Sequence, residues 1–470
     1  MAQSVNHLNL KKLFGYFKTA IKGEEKEYTS GNINKAIFML AVPMILEMVM
    51  ESLFAVVDVF FVSRLGVNAI ATVGLTESVL TIIYAVAIGL SMAATAMVAR
   101  RTGEKNPEAA SEAAIQALII AVIIGSVIGL TGVIFAEDIL RLMGGAPELI
   151  SEGKGYTRIM LGSNVIIMLL FLNNAIFRGA GDASIAMRSL WLANALNIVL
   201  CPVLIFGLGP IPGLGIEGAA LATTIGRGSG VLYQFYMLFS KRSVIQLNRS
   251  NFKFNPDLIG KMLNVSAGGM GQFLIESASW VFLVRIISVF GSDALAGYTI
   301  AIRIIIFTIL PSWGLSNAAA TLVGQNLGAG QPERAETSVW RAAFYNMLFL
   351  AFISVGLFVF AGIIIEIFTT ETNVQQYGIQ GLRYICAGYI FAAYGMVTSQ
   401  SFNGAGDTRT PTVINLLCYW VLQIPLAYLL AVTLDLGPAG VFIAIAISFS
   451  MHALVSIVWF RRGKWKLVEI

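Results

Sequence analysis

The chain has 470 residues, of which 57% are Ala, Val, Ile, Leu, Met, Phe, Trp, Tyr or Cys. Charged residues are 12%, about half of the ~25% usual in soluble domains, which excludes a soluble globular enzyme, a disulfide scaffold and a disordered chain. The net charge of +5 is no nucleic-acid footprint; the positions of the charges matter more.

Taken in chain order, residues 8–22 come first and are amphipathic. Leu10, Leu13, Phe14, Phe17 and Ile21 fall on one helical face, and Lys11, Lys12, Lys18 and Lys22 on the other. Such a helix suits the cytoplasmic headgroup layer of a membrane; the alternative is a poorly ordered tail. The first 34 residues hold no apolar core of a cleavable signal. Twelve apolar spans then follow, at about 36–63, 69–99, 113–136, 156–178, 184–208, 215–239, 261–290, 295–323, 338–365, 379–402, 410–432 and 437–460. Each is long enough for a membrane helix of ~20 residues. The one long polar loop, 240–260, divides the chain near its middle. Cys201, Cys386 and Cys418 all lie inside apolar runs, so no disulfide framework is expected.

With the N-terminus in the cytoplasm, 23 of the 31 Lys and Arg residues fall on the cytoplasmic side, five fall outside and three lie within spans. Positive residues are retained inside, so both termini are placed in the cytoplasm and the protein in the plasma (inner) membrane. The expected domains are a cytoplasmic tail at 1–34, a six-helix bundle at 35–240, a cytoplasmic linker at 241–260, a second six-helix bundle at 261–462 and a short cytoplasmic tail at 463–470.

The two halves repeat at a shift of 225 residues. Glu51-Ser52 returns as Glu276-Ser277, Gly66 as Gly291, Gly89-Leu90-Ser91 as Gly314-Leu315-Ser316, and Gly103 and Pro107 as Gly328 and Pro332. Gly179-Ala180-Gly181-Asp182 returns as Gly404-Ala405-Gly406-Asp407. The shift slips by three residues only near the end, where Gly218 pairs with Gly440. An even number of helices per repeat gives both halves the same orientation. The expected fold is therefore an all-α membrane protein of twelve helices, in two six-helix bundles related by a pseudo-twofold axis along the membrane normal, with a transport path between them.

These features resemble the multidrug and toxic compound extrusion (MATE) family. The resemblance rests on Val57-Asp58 in the first span, followed by Leu65-Gly66 and Ala69-Ile70-Ala71. It rests also on Gly324-Gln325-Asn326-Leu327-Gly328-Ala329-Gly330 and on the paired Gly-Ala-Gly-Asp loops. It implies two bundles around a central cavity and export of organic, often cationic, compounds in exchange for H⁺ or Na⁺. Two departures stand out. Where some members carry an Asp four residues after Asn197, this chain has Cys201; where others carry an Asp in the tenth span, it has Ala392. The Glu of the seventh span in that second branch is matched by Glu276.

Ionisable residues inside a bilayer are costly and are functional candidates by default. Glu47, Glu51 and Asp58 of the first span lie within about 40° of one another, at 100° per residue, and their shared face must look into a cavity or at partner helices. Pro43 lies on the same side. Glu276 and Gln272 are one turn apart in the seventh span, after Gly268, Gly269 and Gly271. Glu77 in the second span, with Thr81 and Tyr84 at helical spacing, is a supporting candidate or a structural partner. Arg303 in the eighth is the expected counter-charge for a buried acid; Arg227 and Arg285 are expected to snorkel or to pair structurally. Asp58, Glu276 and Glu51 are thus the expected coupling residues, with Glu47, Glu77, Asn197, Thr223, Gln272 and Arg303 in support. Burial disfavours a charged carboxylate, whereas a bound organic cation favours it, and this competition suffices to couple antiport. Na⁺ would replace H⁺ if Asp58, Asn197 and Thr223 supplied oxygen ligands.

No Gly-x-x-x-x-Gly-Lys-Ser/Thr loop is present, and the two histidines, His7 and His452, cannot form a His-Glu-x-x-His zinc site. The expectation is therefore a transporter, not an enzyme, acting as a monomer with small organic substrates in a lipid bilayer, without nucleic acid or cofactor beyond the coupling ion. The rival is a lipid-linked oligosaccharide or lipid flippase of the same superfamily, which would show many basic residues in its cavity.

Overall fold

The computed structural model describes residues 10–23, 27–240, 243–247 and 254–470. Helix α1 (Leu10–Lys22) covers most of the expected amphipathic segment; residues 8 and 9 lie outside the described residues. The first half then runs through α2 (Ile33–Val62), α3 (Val67–Gly103), α4 (Pro107–Leu142), α5 (Pro147–Gly162), α6 (Asn164–Gly179), α7 (Ala183–Phe206) and α8 (Ile216–Phe239). The second half runs through α9 (Pro256–Ile287), α10 (Ser292–Gly328), α11 (Pro332–Val359), α12 (Ala361–Glu366), α13 (Thr372–Cys386), α14 (Tyr389–Ala405), α15 (Arg409–Thr433) and α16 (Pro438–Arg461). A two-residue antiparallel hairpin, β1 (Gly207–Leu208) with β2 (Ile211–Pro212), joins α7 to α8.

The 225-residue repeat governs helix starts and breaks alike. Helices α3 and α10 each follow a 3₁₀ turn and a glycine, Gly66 or Gly291, at φ 103° or 98°. L-residues with a side chain rarely adopt this backbone, which is why glycine returns there. Helices α4, α9 and α11 open on Pro at the first turn, and Asn106 and Asn255 cap two of them by accepting from Ala109 N and Leu258 N. Phe135 kinks α4, and its repeat mate Phe360 separates α11 from α12. Ser163 divides α5 from α6, as Ala387-Gly388 divides α13 from α14. The expected single spans 156–178, 338–365 and 379–402 are accordingly each two pieces. Apolar periodicity does not register a one-residue break whose flanks stay apolar. In α15 the segments Leu416–Gln423 and Leu429–Thr433 are π-helical; Pro425 between them lacks an N–H to donate to the ordinary ladder.

Among the described residues, nine helical stretches are long and apolar enough to cross a membrane. The other three of the twelve are α2; α8, which carries Glu217 and Arg227; and the broken α13–α14 pair. The halves meet through α2 against α10, and α3 against α9 and α10. Gly103 lies against the Gln325 carbonyl and Gly328 against that of Arg100, so closely that neither has room for a Cβ. The hydrogen bonds joining the halves cluster at this same end. Gln325 Nε2 donates to Gly179 O (2.9 Å), Thr321 to Arg178 O (3.2 Å), and Arg100 Nη2 to Ala405 O (3.2 Å) and Val468 O (3.0 Å). Toward the other end, Glu77 of α3 and Arg303 of α10 are both exposed. The molecule is thus sealed where α3 and α10 terminate.

Candidate functional site

Between the halves lies a cavity of about 190 Å³, bordered by Glu47, Glu51, Arg178 and Arg227 of the first half and by Trp313 and Asn317 of the second. It shares Ile88, Met92, Leu310, Trp313 and Gln400 with an arm of about 430 Å³ reaching into the second half. That arm is walled by Glu276, Trp280, Asn415, Tyr419 and His452 among others.

Helix α2 stays helical through Pro43 and brings the expected acidic face inward, but its three carboxylates go to different places. Glu47 is 1% exposed and accepts from Arg178 Nη1 (2.8 Å) and Asn174 Nδ2 (3.1 Å). Asn174 Oδ1 in turn accepts from Gln234 Nε2 (2.6 Å) and Ser189 Oγ (3.1 Å), which fixes the amide. Glu51 accepts from Arg227 Nη2 (3.0 Å) and Asn194 Nδ2 (3.2 Å). Arg227 lies over the Phe54 ring, 5.1 Å from its centroid. Asp58 does not line the central cavity. It sits within the first half, with the Cys201 thiol 4.0 Å from its Oδ1, and the charges of Glu77 and Arg227 reach it.

The Na⁺ ligands expected around Asp58 are partly assembled. Asn197 donates to Thr223 Oγ1 (3.1 Å), and its own Oδ1 is buried without a hydrogen-bond partner among the described residues. Cys201 lies one turn on from Asn197 in α7 and meets Asp58. A thiol bears no charge at neutral pH and is a poor ligand for a hard cation, so Cys201 adds no second acid beside Asp58.

In the second half, Glu276 of α9 faces the arm of the cavity, and among the described residues it has no ion pair and no side-chain hydrogen bond. Gln272, expected to orient it, is committed elsewhere. Its Nε2 donates to Asn403 Oδ1 (2.9 Å) and Thr408 O (3.0 Å), and its Oε1 accepts from Asn403 (3.1 Å). The amide ties α9 to α14 because a buried primary amide must fill its donors and acceptors wherever they are offered.

Arg303 also departs from expectation. It is exposed and makes no ion pair with Glu47 or Glu51; its charge acts on Glu77 across the unsealed end. The counter-charges of Glu47 and Glu51 are Arg178 and Arg227 instead. Arg227 is 6% exposed and reaches inward to Glu51 from the buried side of α8, whose other side carries the exposed Ile225, Leu232 and Tyr236. Three further participants were not among the expected site residues: Arg178, Asn174 and His452. The rule that flags intramembrane ionisable residues would have found His452, which sits in the apolar run of the last span.

The MatE family profile matches residues 43–203 and 270–429. The chain belongs to the MatE family. The probable multidrug resistance protein NorM of Thermotoga maritima is 27% identical over 460 residues, covering 96% of this chain and 97% of that protein. The FAD transporter of Shewanella oneidensis is 24% identical over 400 residues, 85% of this chain and 88% of that one. A solved structure described as the outward-facing conformation of a multidrug resistance MATE family transporter of the MOP superfamily is 29% identical; it covers 94% of this chain and 99% of the other, with a TM-score of 0.88. The twelve-helix, two-bundle layout expected from the repeat is that of MatE proteins, and this protein is a membrane transporter rather than an enzyme.

Proposed function

We propose that the protein exports organic, often cationic, compounds across the plasma membrane by H⁺ antiport through alternating access, with both termini in the cytoplasm and Glu276 as the principal coupling residue. The observation that carries this reading is the state of Glu276: a carboxylate within the bilayer, open to the transport cavity and, among the described residues, without an ion-pair partner. Such a group can hold a proton or face an organic cation, but not both. Glu47 and Glu51, each bonded to an arginine, serve to shape the cavity. The name of the Thermotoga maritima relative supports drug export.

The sealed end carries Arg100, Arg101, Arg178 and Arg334 and is assigned to the cytoplasm by the retention of positive residues inside. The structure then corresponds to the outward-facing form, and the two bundles, 35–240 and 261–462, are the units that rock. A flippase for lipid-linked oligosaccharides would need cationic groups free to receive phosphates. The two arginines bordering the central cavity are each bonded to a glutamate.

One observation favours a second reading, Na⁺ coupling in the first half: the buried, unpaired Oδ1 of Asn197 beside the Asp58 cluster. The test is purified protein in liposomes, loaded with a fluorescent organic cation and driven separately by a pH gradient and by a Na⁺ gradient. Transport driven by the pH gradient alone supports the proposal, and transport driven only by Na⁺ overturns it in favour of the Asp58 cluster.

A further inference from the structure

Besides Glu276, the second-half arm is bordered by two ionisable side chains, Tyr419 and His452. His452 on α16 is 6% exposed. One ring nitrogen, Nε2, lies 3.0 Å from Asn415 Oδ1 of α15, and the ring stacks on Tyr419 with centroids 5.5 Å apart and planes inclined by 8°. The other nitrogen, Nδ1, lies over Gly395 of α14, where an added Cβ would stand only 2.7 Å away. That glycine is one turn after Ala392, which borders the same arm. The imidazole therefore fills the space beside the position at which the family pattern noted above carries an acid in the tenth span.

We propose that His452 is a second proton-binding residue of the coupling site, acting with Glu276 in one arm of the cavity and taking the part of the carboxylate that Ala392 lacks. This rests on the reading that Glu276 carries coupling. With the Asn415 oxygen turned toward the ring, Nε2 bears the hydrogen and Nδ1 is the basic nitrogen. A proton from water adds at Nδ1 and is returned to water when it leaves; no other bond changes. The ionisable groups bordering this arm are Glu276 from α9, Tyr419 from α15 and His452 itself, and α3, α10 and α14 contribute none. With Glu276 and His452 both protonated, the arm bears one positive charge and repels an organic cation. With both deprotonated it bears one negative charge and attracts it. The swing is two charges instead of the one that Glu276 alone provides, so export of a monovalent cation takes up two protons.

The experiment uses the full chain in detergent, with ethidium as the monovalent probe, and reads its Kd against pH together with the protons released on binding. Where both groups are protonated, wild-type affinity is expected to rise by more than about tenfold per pH unit, with more than one proton released per ethidium; a single site cannot exceed about tenfold. His452→Gln, which retains a partner for Asn415, should bring the slope to about tenfold or less and the release to one proton or fewer. Glu276→Gln should leave a smaller pH dependence, and the double variant none. Because the chain has only two histidines, His7→Gln leaves His452 as the sole imidazole, and ¹⁵N NMR of that variant follows it without touching the site. The resonance should titrate and move to its neutral position when ethidium binds. If His452 does not titrate, or if His452→Gln keeps the wild-type slope and proton count, the proposal is overturned while Glu276 stands. If Glu276→Gln alone leaves both unchanged, the underlying reading fails as well.

Discussion

Replacing Arg178 by Met takes the cation away from a carboxylate that has little else. Glu47 is 1% exposed and Arg178 13%, with 2.8 Å between Arg178 Nη1 and Glu47 Oε1. Among the described residues, the remaining donor to Glu47 is Asn174 Nδ2, and Glu47 Oε2 is buried without a partner. Asn174 cannot turn to offer more, because Gln234 and Ser189 hold its oxygen. Breaking a buried pair from one side costs about 3–5 kcal/mol, chiefly because the other charge is stranded. Arg178→Met should therefore be destabilised by about that much. Glu47→Gln combined with Arg178→Met strands no charge and should recover at least about 2 kcal/mol, since replacing both partners of a buried pair is often close to neutral. The assay is a double-mutant cycle on unfolding of the detergent-solubilised protein. A single variant within about 1 kcal/mol of wild type, or a double variant no more stable than Arg178→Met, would refute the view that this pair is held by charge compensation.

Three further predictions concern the seal and the orientation. Val at Gly103 or Gly328 should abolish transport while the protein still elutes as a folded species, because the new side chain meets the backbone of the opposite half; normal transport would contradict the closure. Arg100→Ala with Arg101→Ala removes donors to Ala405 O, Val468 O and Ile470 O, each charged bond contributing about 1.5–3 kcal/mol. A cysteine at Thr321 should then label faster from the cytoplasmic face, and an unchanged rate would exclude a part for the C-terminal segment in the seal. Cysteines placed at Val67 and Ser292 should react with an impermeant reagent from outside, and one at Asn248 should not; the reverse would invert the topology.

The fold was legible because its signals are long and repeated. Twenty apolar residues announce a span whatever they pack against, and the shift of 225 residues fixed the helix starts at Val67 and Ser292 and at Pro107 and Pro332. The breaks at Ser163 and Ala387-Gly388 were not legible, since a single turn residue leaves hydropathy unchanged. Within the site, the inward face of α2 followed from helical periodicity, and so did its membrane carboxylates. The partners did not. Glu51 meets Arg227 across 176 positions and Glu47 meets Arg178 across 131, distances over which no local spacing rule operates. Arg303 seemed the natural counter-charge because it shares the bilayer with the acids, but it projects from α10 toward the unsealed end. Gln272 shares a helix face with Glu276, yet its amide is drawn to Asn403 by the need to satisfy buried donors.

The most direct measurement of the central claim is gradient-driven export by Glu276→Gln, compared with wild type and Asp58→Asn in the same liposomes. Gln keeps the shape of Glu276 and removes its charge and its titration. The account predicts that a pH gradient drives export by wild type, that Glu276→Gln loses most of that export while still binding the probe, and that Asp58→Asn retains substantial export. Normal export by Glu276→Gln together with a dead Asp58→Asn would contradict it and move coupling to the first half.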